Sequence, residues 1–377
     1  MKIILTGGGT GGHFYPILAV AEQLRKIQKE ESITELKMFF VSADPYDRKE
    51  LERVGIEYKN IMSGKVRTYF SIHTFIDFFK TIIGVFQAFV FVFMNYPDVV
   101  FGKGGYASFP VLLAAKTFRI PIIIHESDCV PGRVNKWAGR SACRVFVSFE
   151  EAMGHFPEGK AELSGRPILE SITDVENVPG AREFLHIHDR DVPVLLVLGG
   201  SQGSEKINSV MINSLSELTK KYYIIHQTGK NNILAAKAAA NNILRGSEYA
   251  DRYKPFDFLD REGMRRAASL TDLVLSRAGS TIFEIAAWGK ASILVPYEYA
   301  YGDHQHHNAF AYARTGACRV IEDGNLSTSI LMLEIENILN EPILKEKMEK
   351  AARNFHKPDA AIEVAVSIAE VGLAHER

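Results

Sequence analysis

The chain has 377 residues, 46% hydrophobic and 24% charged, with 29 Gly and 14 Pro. That composition excludes wholesale disorder, collagen-like repeats and coiled coil, and the length predicts two or three domains. Net charge is −1, with 20 basic against 16 acidic residues over 1–160 and 24 against 29 beyond. The imbalance is too weak for nucleic acid but suits a basic face at an anionic membrane. Cys129, Cys143 and Cys318 are scattered and odd in number. They predict no disulfide framework and a reducing cytosol. The opening KIILTGGG reads as a strand rather than a signal peptide.

The first strand is expected over 2–6, followed by the glycine loop GGGTGG at 7–12. A helix should come next, with Pro16 in its first turn and Ile17, Val20, Leu24 and Ile27 on one face. Short apolar runs at 37–41, 97–101, 120–124 and 144–148 read as further strands separated by helices. Alternation of this kind predicts a parallel sheet covered on both sides. The pattern restarts with a buried strand over 193–198, the glycine loop GGSQG at 199–203 and a helix carrying Ile207, Val210, Met211, Leu215 and Leu218. Strand-like runs at 222–226, 272–275 and 291–295 follow. The fold class is therefore α/β, with two Rossmann-like, doubly wound parallel-sheet domains facing a cleft. Their expected extents are 1–164 and 165–357, with a linker in the polar stretch 165–192.

Between two of these strands lies FIDFFKTIIGVFQAFVFVFM at 75–94. Asp77 and Lys80 interrupt it, and its uncharged run is shorter than the roughly 20 residues a spanning helix needs. A buried helix and a helix with one face in the core and one in lipid both fit.

Gly7-x-Gly9-x-x-Gly12 matches a dinucleotide fingerprint between a strand and a helix. Its backbone N–H groups and the helix dipole favour phosphate. A nicotinamide site wants an acid about 20 residues on, and the nearest is Asp44, 32 residues past Gly12. His13 follows the loop directly, where the dipole favours the neutral imidazole that a general base needs; a capping or packing histidine is the alternative. Gly199-Gly-Ser201-Gln202-Gly203 has the same mechanics, and two such loops suggest one diphosphate ligand. In SRAGSTIFE at 276–284, Glu284 can accept two hydrogen bonds from a ribose diol, or simply complement the helix dipole. Three histidines in DHQHHN at 303–308 invite a metal, but no nearby carboxylate or cysteine cluster completes a site, and sugar recognition by His304 and Gln305 fits better. Asp189-Arg190-Asp191 reads as a solvated turn.

Six blocks in order resemble the MurG family of peptidoglycan glycosyltransferases. They are TGGGTGGHFYPILAVA (6–21), GKGGYASFP (102–110), HESDCVPGRVNK (125–136), LGGSQGS (198–204), SRAGSTIFEIAAWGK (276–290) and DHQHHNA (303–309). The resemblance implies a GT-B fold, no cofactor and no catalytic metal. It implies inverting transfer of N-acetylglucosamine from UDP-N-acetylglucosamine to the muramyl O4 of undecaprenyl-diphosphate-N-acetylmuramoyl-pentapeptide (lipid I). His13 is then the expected base. Donor contacts are expected from Thr10, Gly11, Gly12, Asp128, Arg166, Ser201, Gln202, Gly203, Leu259, Ser280, Thr281, Glu284, His304 and Gln305. Gly8, Gly9, Gly104, Gly105 and Tyr106 would form the acceptor and diphosphate loops. Segment 75–94 matches the family's membrane-associating region, with Phe75, Phe78, Phe79, Lys80, Ile82, Ile83 and Phe86 facing the cytoplasmic side of an anionic membrane. Lys65, Arg67, Lys116, Arg119, Arg133, Lys136 and Arg140 are the neighbouring cations. The C-terminal helix, near 358–377, is expected to cross back onto the first domain.

The chain departs from the family pattern in three places. Asp128 replaces the asparagine of HEQN. GRPIL at 165–169 replaces GNPVR, so Arg166 stands for the asparagine and Leu169 for the arginine. The segment from Arg277 to Glu284 is one residue shorter. Other readings are a UDP-N-acetylglucosamine 2-epimerase, an NAD(P)-dependent oxidoreductase and a non-catalytic nucleotide-sugar-binding protein. The epimerase would need neither an apolar patch nor the GGYxSxP loop.

Overall fold

The structure is a computed structural model; it describes all residues except 9, 31–34, 65–71, 177, 201–202 and 377, and the side chains of 72–76, 301 and 376 are likewise left undescribed. The chain divides into two compact units, Met1–Leu169 with Lys357–Arg377, and Glu170–His356.

The first unit is built on strands β1 (Lys2–Thr6), β2 (Lys37–Ser42), β3 (Ile56–Asn60), β4 (Val99–Gly102), β5 (Ile122–Glu126), β6 (Arg144–Val147) and β7 (Ala161–Leu163). All pairs are parallel, in the order β3-β2-β1-β4-β5-β6-β7. The order reverses between β1 and β4, so the chain leaves these neighbours in opposite directions. That opens a crevice at their C-terminal ends, the usual ligand site of such sheets. The second unit repeats the plan with β8 (Val194–Leu198), β9 (Tyr223–Gln227), β10 (Tyr253–Phe256), β11 (Leu273–Ser276), β12 (Ala291–Leu294) and β13 (Cys318–Val320). Its order is β10-β9-β8-β11-β12-β13, reversing between β8 and β11.

The central strands β1, β4, β5 and β8 are buried at nearly every position. This is why they read as continuous apolar runs. The strands the apolar pattern did not reveal are β3, β7, β10 and β13, the four edges of the two sheets. Edge strands are short and half-solvated, so they carry Glu57, Lys59, Glu162, Lys254 and Arg319.

Two helices differ from expectation. The first begins at Gly11 and runs to Glu30, so Pro16 lies inside it rather than in its first turn. The helix survives because its lost hydrogen bond would have gone to the Gly12 carbonyl, and the Arg166 guanidinium donates there instead at 3.1 Å. The helix after 199–203 is two helices, Glu205–Asn213 and Leu215–Lys221, broken at Ser214. Ile207, Met211, Leu215 and Leu218 are buried in one core across the break. The C-terminal helix Ala360–Glu376 packs along the helix Gly11–Glu30 and belongs to the first unit.

The helix Ile72–Asn95 contains the one stretch among the described residues, Asp77–Asn95, long and apolar enough to cross a membrane by length and composition. One narrow stripe is buried: Gly84, Ala88 and Val92, one turn apart, with Ala88 and Val92 in the core beside β1 and β4. A Cβ on Gly84 would collide with the Met62 carbonyl, so only glycine permits this close packing. Phe78, Phe79, Ile82, Ile83, Phe86, Val90, Phe93 and Met94 are exposed, Phe86 at 71% and Met94 at 77%.

Candidate functional site

In the first unit, three loops meet at the C-terminal ends of β1, β4 and β5. The loop after β1 runs from Gly7 into the helix at Gly11, whose first turn is closed by the Thr10 carbonyl accepting from the His13 and Phe14 N–H groups. The loop after β4 begins at Lys103, whose N–H donates to the Thr6 carbonyl at 2.8 Å. Gly104 and Gly105 follow with φ of +87° and +80°. These are left-handed conformations that favour glycine. A Cβ on Gly105 would lie 2.9 Å from the Gly8 carbonyl oxygen and 3.3 Å from His13 Cε1, so the two glycine loops are in contact. Tyr106 continues the second loop, partly buried, with its carbonyl accepting from Ser63 Oγ at 2.9 Å.

His13 Nδ1 lies 2.8 Å from the Gly8 carbonyl, and Thr10 Oγ1 lies 3.4 Å from the same nitrogen. A carbonyl can only accept, so Nδ1 carries the proton and Nε2 keeps its lone pair. Burial lowers the imidazole pKa to about 4, reinforced by the Lys103 ammonium and opposed by Asp128. The ring is therefore neutral near neutral pH, with Nε2 available as a base.

Below the loops lies a cluster of buried charge. Lys103 is 1% exposed, and its Nζ donates to Ser127 Oγ at 2.6 Å. Burial and the Arg166 guanidinium push its pKa down to about 7, while Glu126 and Asp128 pull it up. Glu126 organises the loop after β5. Its Oε1 accepts from the N–H groups of Ser127 and Asp128 at 2.7 and 3.0 Å. Its Oε2 accepts from the Gly132 N–H and Asn135 Nδ2 at 3.1 and 3.0 Å. Burial and Asp128 raise its pKa, opposed by Lys103. His125, fully buried, donates from Nε2 to the Gly165 carbonyl at 2.9 Å. Arg166 completes the cluster and belongs to the first unit, as does Asp128. Leu169 is buried.

In the second unit the loop after β8 turns through Gly200 (φ +85°) and Gly203 (φ +80°). A Cβ on Gly203 would strike the Thr228 carbonyl. Ser204 caps the following helix, its Oγ accepting from the Ile207 N–H. That hydroxyl also accepts from Arg277 Nη2 at 2.7 Å. Arg277, at the end of β11, forms a close ion pair with Asp323 and donates to the Val295 carbonyl at 3.1 Å. Asp323 also holds Lys206 at 3.0 Å. These two cations outweigh burial and keep the Asp323 carboxyl below its usual range. The glycine loop is thus tied through Ser204 to the ends of β11 and β12.

The remaining predicted donor residues lie on the same unit. Ser280 stands at the N-cap of the helix Thr281–Trp288, with Thr281 first and Glu284 partly buried in its first turn. Leu259 is buried, and its N–H donates to Gln227 Oε1 at 2.9 Å. Gln227 Nε2 reaches the Gly200 carbonyl at 3.3 Å. His304 opens the helix His304–Arg314 after Asp303 in a left-handed conformation, φ 54°. Gln305 Oε1 accepts from the Tyr297 N–H at 2.9 Å. The second ring of the histidine run, His306, lies 3.7 Å from both Asp303 and Glu322. Among the described residues no group of three or more His, Cys, Asp or Glu side chains is placed to hold a metal ion. Asp189 accepts from the Asp191 N–H in an exposed turn. Gly9, Ser201 and Gln202 lie outside the described residues, as does the Phe75 side chain.

Sequence reasoning did not single out Lys103, Glu126, Gln227 or Asp323. Lys103 and Glu126 carried a signal, since each charge closes a run of strand residues, Lys103 at the sheet's switch point and Glu126 on the strand beside it. Gln227 and Asp323 stand in no glycine block and left no such mark.

Residues 3–147 match the glycosyltransferase family 28 N-terminal domain and residues 194–364 the family 28 C-terminal domain. A relative from Thermodesulfovibrio yellowstonii is 38% identical, with 100% of each chain covered. It is named UDP-N-acetylglucosamine--N-acetylmuramyl-(pentapeptide) pyrophosphoryl-undecaprenol N-acetylglucosamine transferase. The crystal structure of Acinetobacter baumannii MurG superposes with a TM-score of 0.73 at 25% identity, covering 98% of this chain and 99% of that one. The UDP-GlcNAc 2-epimerase from Neisseria meningitidis superposes with a TM-score of 0.66 at 14% identity, covering 98% and 100%; at that identity only the fold is shared. Two Rossmann-like units, both family 28 domains in order and a full-length relative agree: the chain is a glycosyltransferase with the GT-B fold and belongs to glycosyltransferase family 28, within its MurG group.

Proposed function

We propose that the enzyme transfers N-acetylglucosamine from UDP-N-acetylglucosamine to the muramyl O4 of undecaprenyl-diphosphate-linked N-acetylmuramoyl-pentapeptide, inverting the anomeric carbon and using no metal. The observation that carries the chemistry is His13, held neutral at the Gly8 carbonyl with Nε2 unprotonated. In this reading Nε2 takes the proton from the O4 hydroxyl as O4 attacks the anomeric carbon. The bond to UDP breaks on the opposite face. The leaving diphosphate is balanced by backbone N–H groups of the loop after β8 and by the N-terminus of the helix Glu205–Asn213. Glu284 accepts from the ribose hydroxyls, Gln305 and His304 hold the donor sugar, and the Leu259 backbone meets the uracil. Thr10, Gly11, Gly12, Asp128 and Arg166 contact the donor from the first unit, while Gly8, Gly104, Gly105 and Tyr106 receive the acceptor.

The acceptor's polyprenyl chain stays in the bilayer, because bringing it into water costs about 0.8 kcal/mol per methylene. The exposed face of the helix Ile72–Asn95 supports docking there as a peripheral protein. Its buried stripe ties it to the sheet, which argues for lying in the interface rather than spanning. The same face favours the transferase over an epimerase, whose substrate carries no lipid. The test is UDP release from UDP-N-acetylglucosamine with and without a short-chain lipid-diphosphate acceptor, in excess EDTA. Acceptor-dependent release that survives EDTA is expected. UDP binding without any release would overturn the assignment.

A further inference from the structure

We propose that Lys103 is a positioning residue for the transfer step: its buried ammonium, fixed on the Ser127 hydroxyl between the loops after β1, β4 and β5, adds to burial in keeping the His13 imidazole unprotonated and so extends activity toward acid pH. The inference rests on the reading of His13 as base. Its ground is the geometry. Lys103 is 1% exposed, and its Nζ is held at 2.6 Å by Ser127. Its Cβ lies 3.1 Å from the point where a Cβ on Gly7 would sit, and a Cβ on the same glycine would lie 3.6 Å from His13 Cβ. Lysine and histidine thus both pack against one glycine, with their Cβ atoms less than 7 Å apart. A lysine side chain buried this deeply is uncommon, and retaining it needs compensating charge. Glu126 and Asp128 supply that charge, and Arg166 adds a second cation.

The groups facing His13 are Lys103 and Arg166, which disfavour its protonation, and Asp128 and the Gly8 carbonyl, which favour it. Those facing Lys103 are Arg166, Glu126 and Asp128, with His125 also within its field. Two protonation equilibria make the arrangement work. Lys103 titrates near 7 and His13 near 4. Throughout the acid range in which His13 would gain a proton, Lys103 is therefore fully charged and opposes it. As pH rises through 7 the ammonium begins to neutralise, but there the imidazole is neutral without help. The cation acts where the base is at risk.

The test uses the full-length enzyme and Lys103→Met, which keeps length and removes charge. Two quantities are read: the acid limb of kcat/KM against pH, and the titration of His13 followed by the NMR shift of its Cε1 proton. The acid limb and the His13 titration should both move upward by about one pH unit in Lys103→Met. At the acid end of the profile kcat/KM should fall about tenfold. Lys103→Arg should restore both. An unmoved His13 titration in a folded Lys103→Met protein overturns the proposal. Should Lys103→Met fail to fold by thermal melting, Lys103→Gln is read instead. It removes the charge but keeps a donor for the Ser127 hydroxyl, and should move the titration the same way; no movement there overturns the proposal equally. If His13→Ala keeps full turnover, the base reading fails, while the NMR titration still decides whether Lys103 governs His13.

Discussion

The loop after β1 and the loop after β8 have the same backbone logic and opposite side-chain chemistry. Each follows the first strand of a parallel sheet, turns on glycines and opens a helix at the sheet's switch point. Beneath the first lies a buried cluster with a neutral imidazole at its rim and two cations, two carboxylates and His125 below. Around the second, Arg277 and Lys206 share the one carboxylate of Asp323, and Ser204 is pinned at the helix start. Topology makes both loops candidate anion sites. The first has the neutral His13 imidazole at its rim. In the proposed function the repeated fold divides labour, one copy for proton transfer and one for holding the leaving group.

The comparison breaks most readily at His13. Replacing it with Ala should lower acceptor-dependent turnover by about 10²–10⁴-fold while leaving UDP affinity unchanged, as measured by calorimetry. An equal loss of UDP binding would mean that His13 serves to hold the donor rather than to move the proton.

Arg277→Ala should act on the other side of the comparison, through stability. It leaves Asp323 with Lys206 as its remaining ion partner and the Ser204 hydroxyl without the guanidinium, so the cost should approach the about 3–5 kcal/mol of a broken buried pair from below. Denaturant unfolding would show it, and a loss under about 1 kcal/mol would mark the pair as a surface contact. The same network should be acid-sensitive. The folded-state pKa of Asp323 is depressed, so its stabilisation is fully present above the unfolded carboxyl pKa. It is lost as pH falls through the folded value. Asp323→Asn should remove that pH dependence.

Glu284→Ala sharpens the division further. Loss of a charged acceptor for the ribose should raise the KM for UDP-N-acetylglucosamine by roughly 10–100-fold with a smaller effect on kcat. The smallest effect on the folded protein belongs to the apolar helix. Phe86→Ser with Phe93→Ser removes side chains that are 71% and 66% exposed, so stability should change by less than about 0.5 kcal/mol per site. Co-sedimentation with anionic vesicles should nevertheless drop sharply; unchanged binding would move the membrane contact elsewhere.

Much of this was legible in the residues alone. Interior strands buried on both faces must be apolar throughout, so 193–198 and 120–124 announced themselves, and glycine loops between strand and helix marked both switch points. The four edge strands did not show, because a strand half in water keeps no apolar pattern that distinguishes it from a loop. The helix of the apolar segment was plain, but which of its faces is buried was not. That followed from Gly84, Ala88 and Val92 meeting the sheet, and no periodicity separates two apolar faces.

What the sequence determined by itself was local: the alternation of strand and helix, the glycine turns, a histidine at a helix start and the family blocks. Tertiary structure decided everything that depends on what stands opposite. It placed Arg166 on the carbonyl that Pro16 leaves unbonded, more than 150 residues away in the chain. It chose the His13 tautomer through the Gly8 carbonyl, and it buried Lys103 beside that ring. The reason is physical: a propensity belongs to a residue and its neighbours in the chain, whereas burial, charge compensation and the place of a proton belong to the groups that folding brings together.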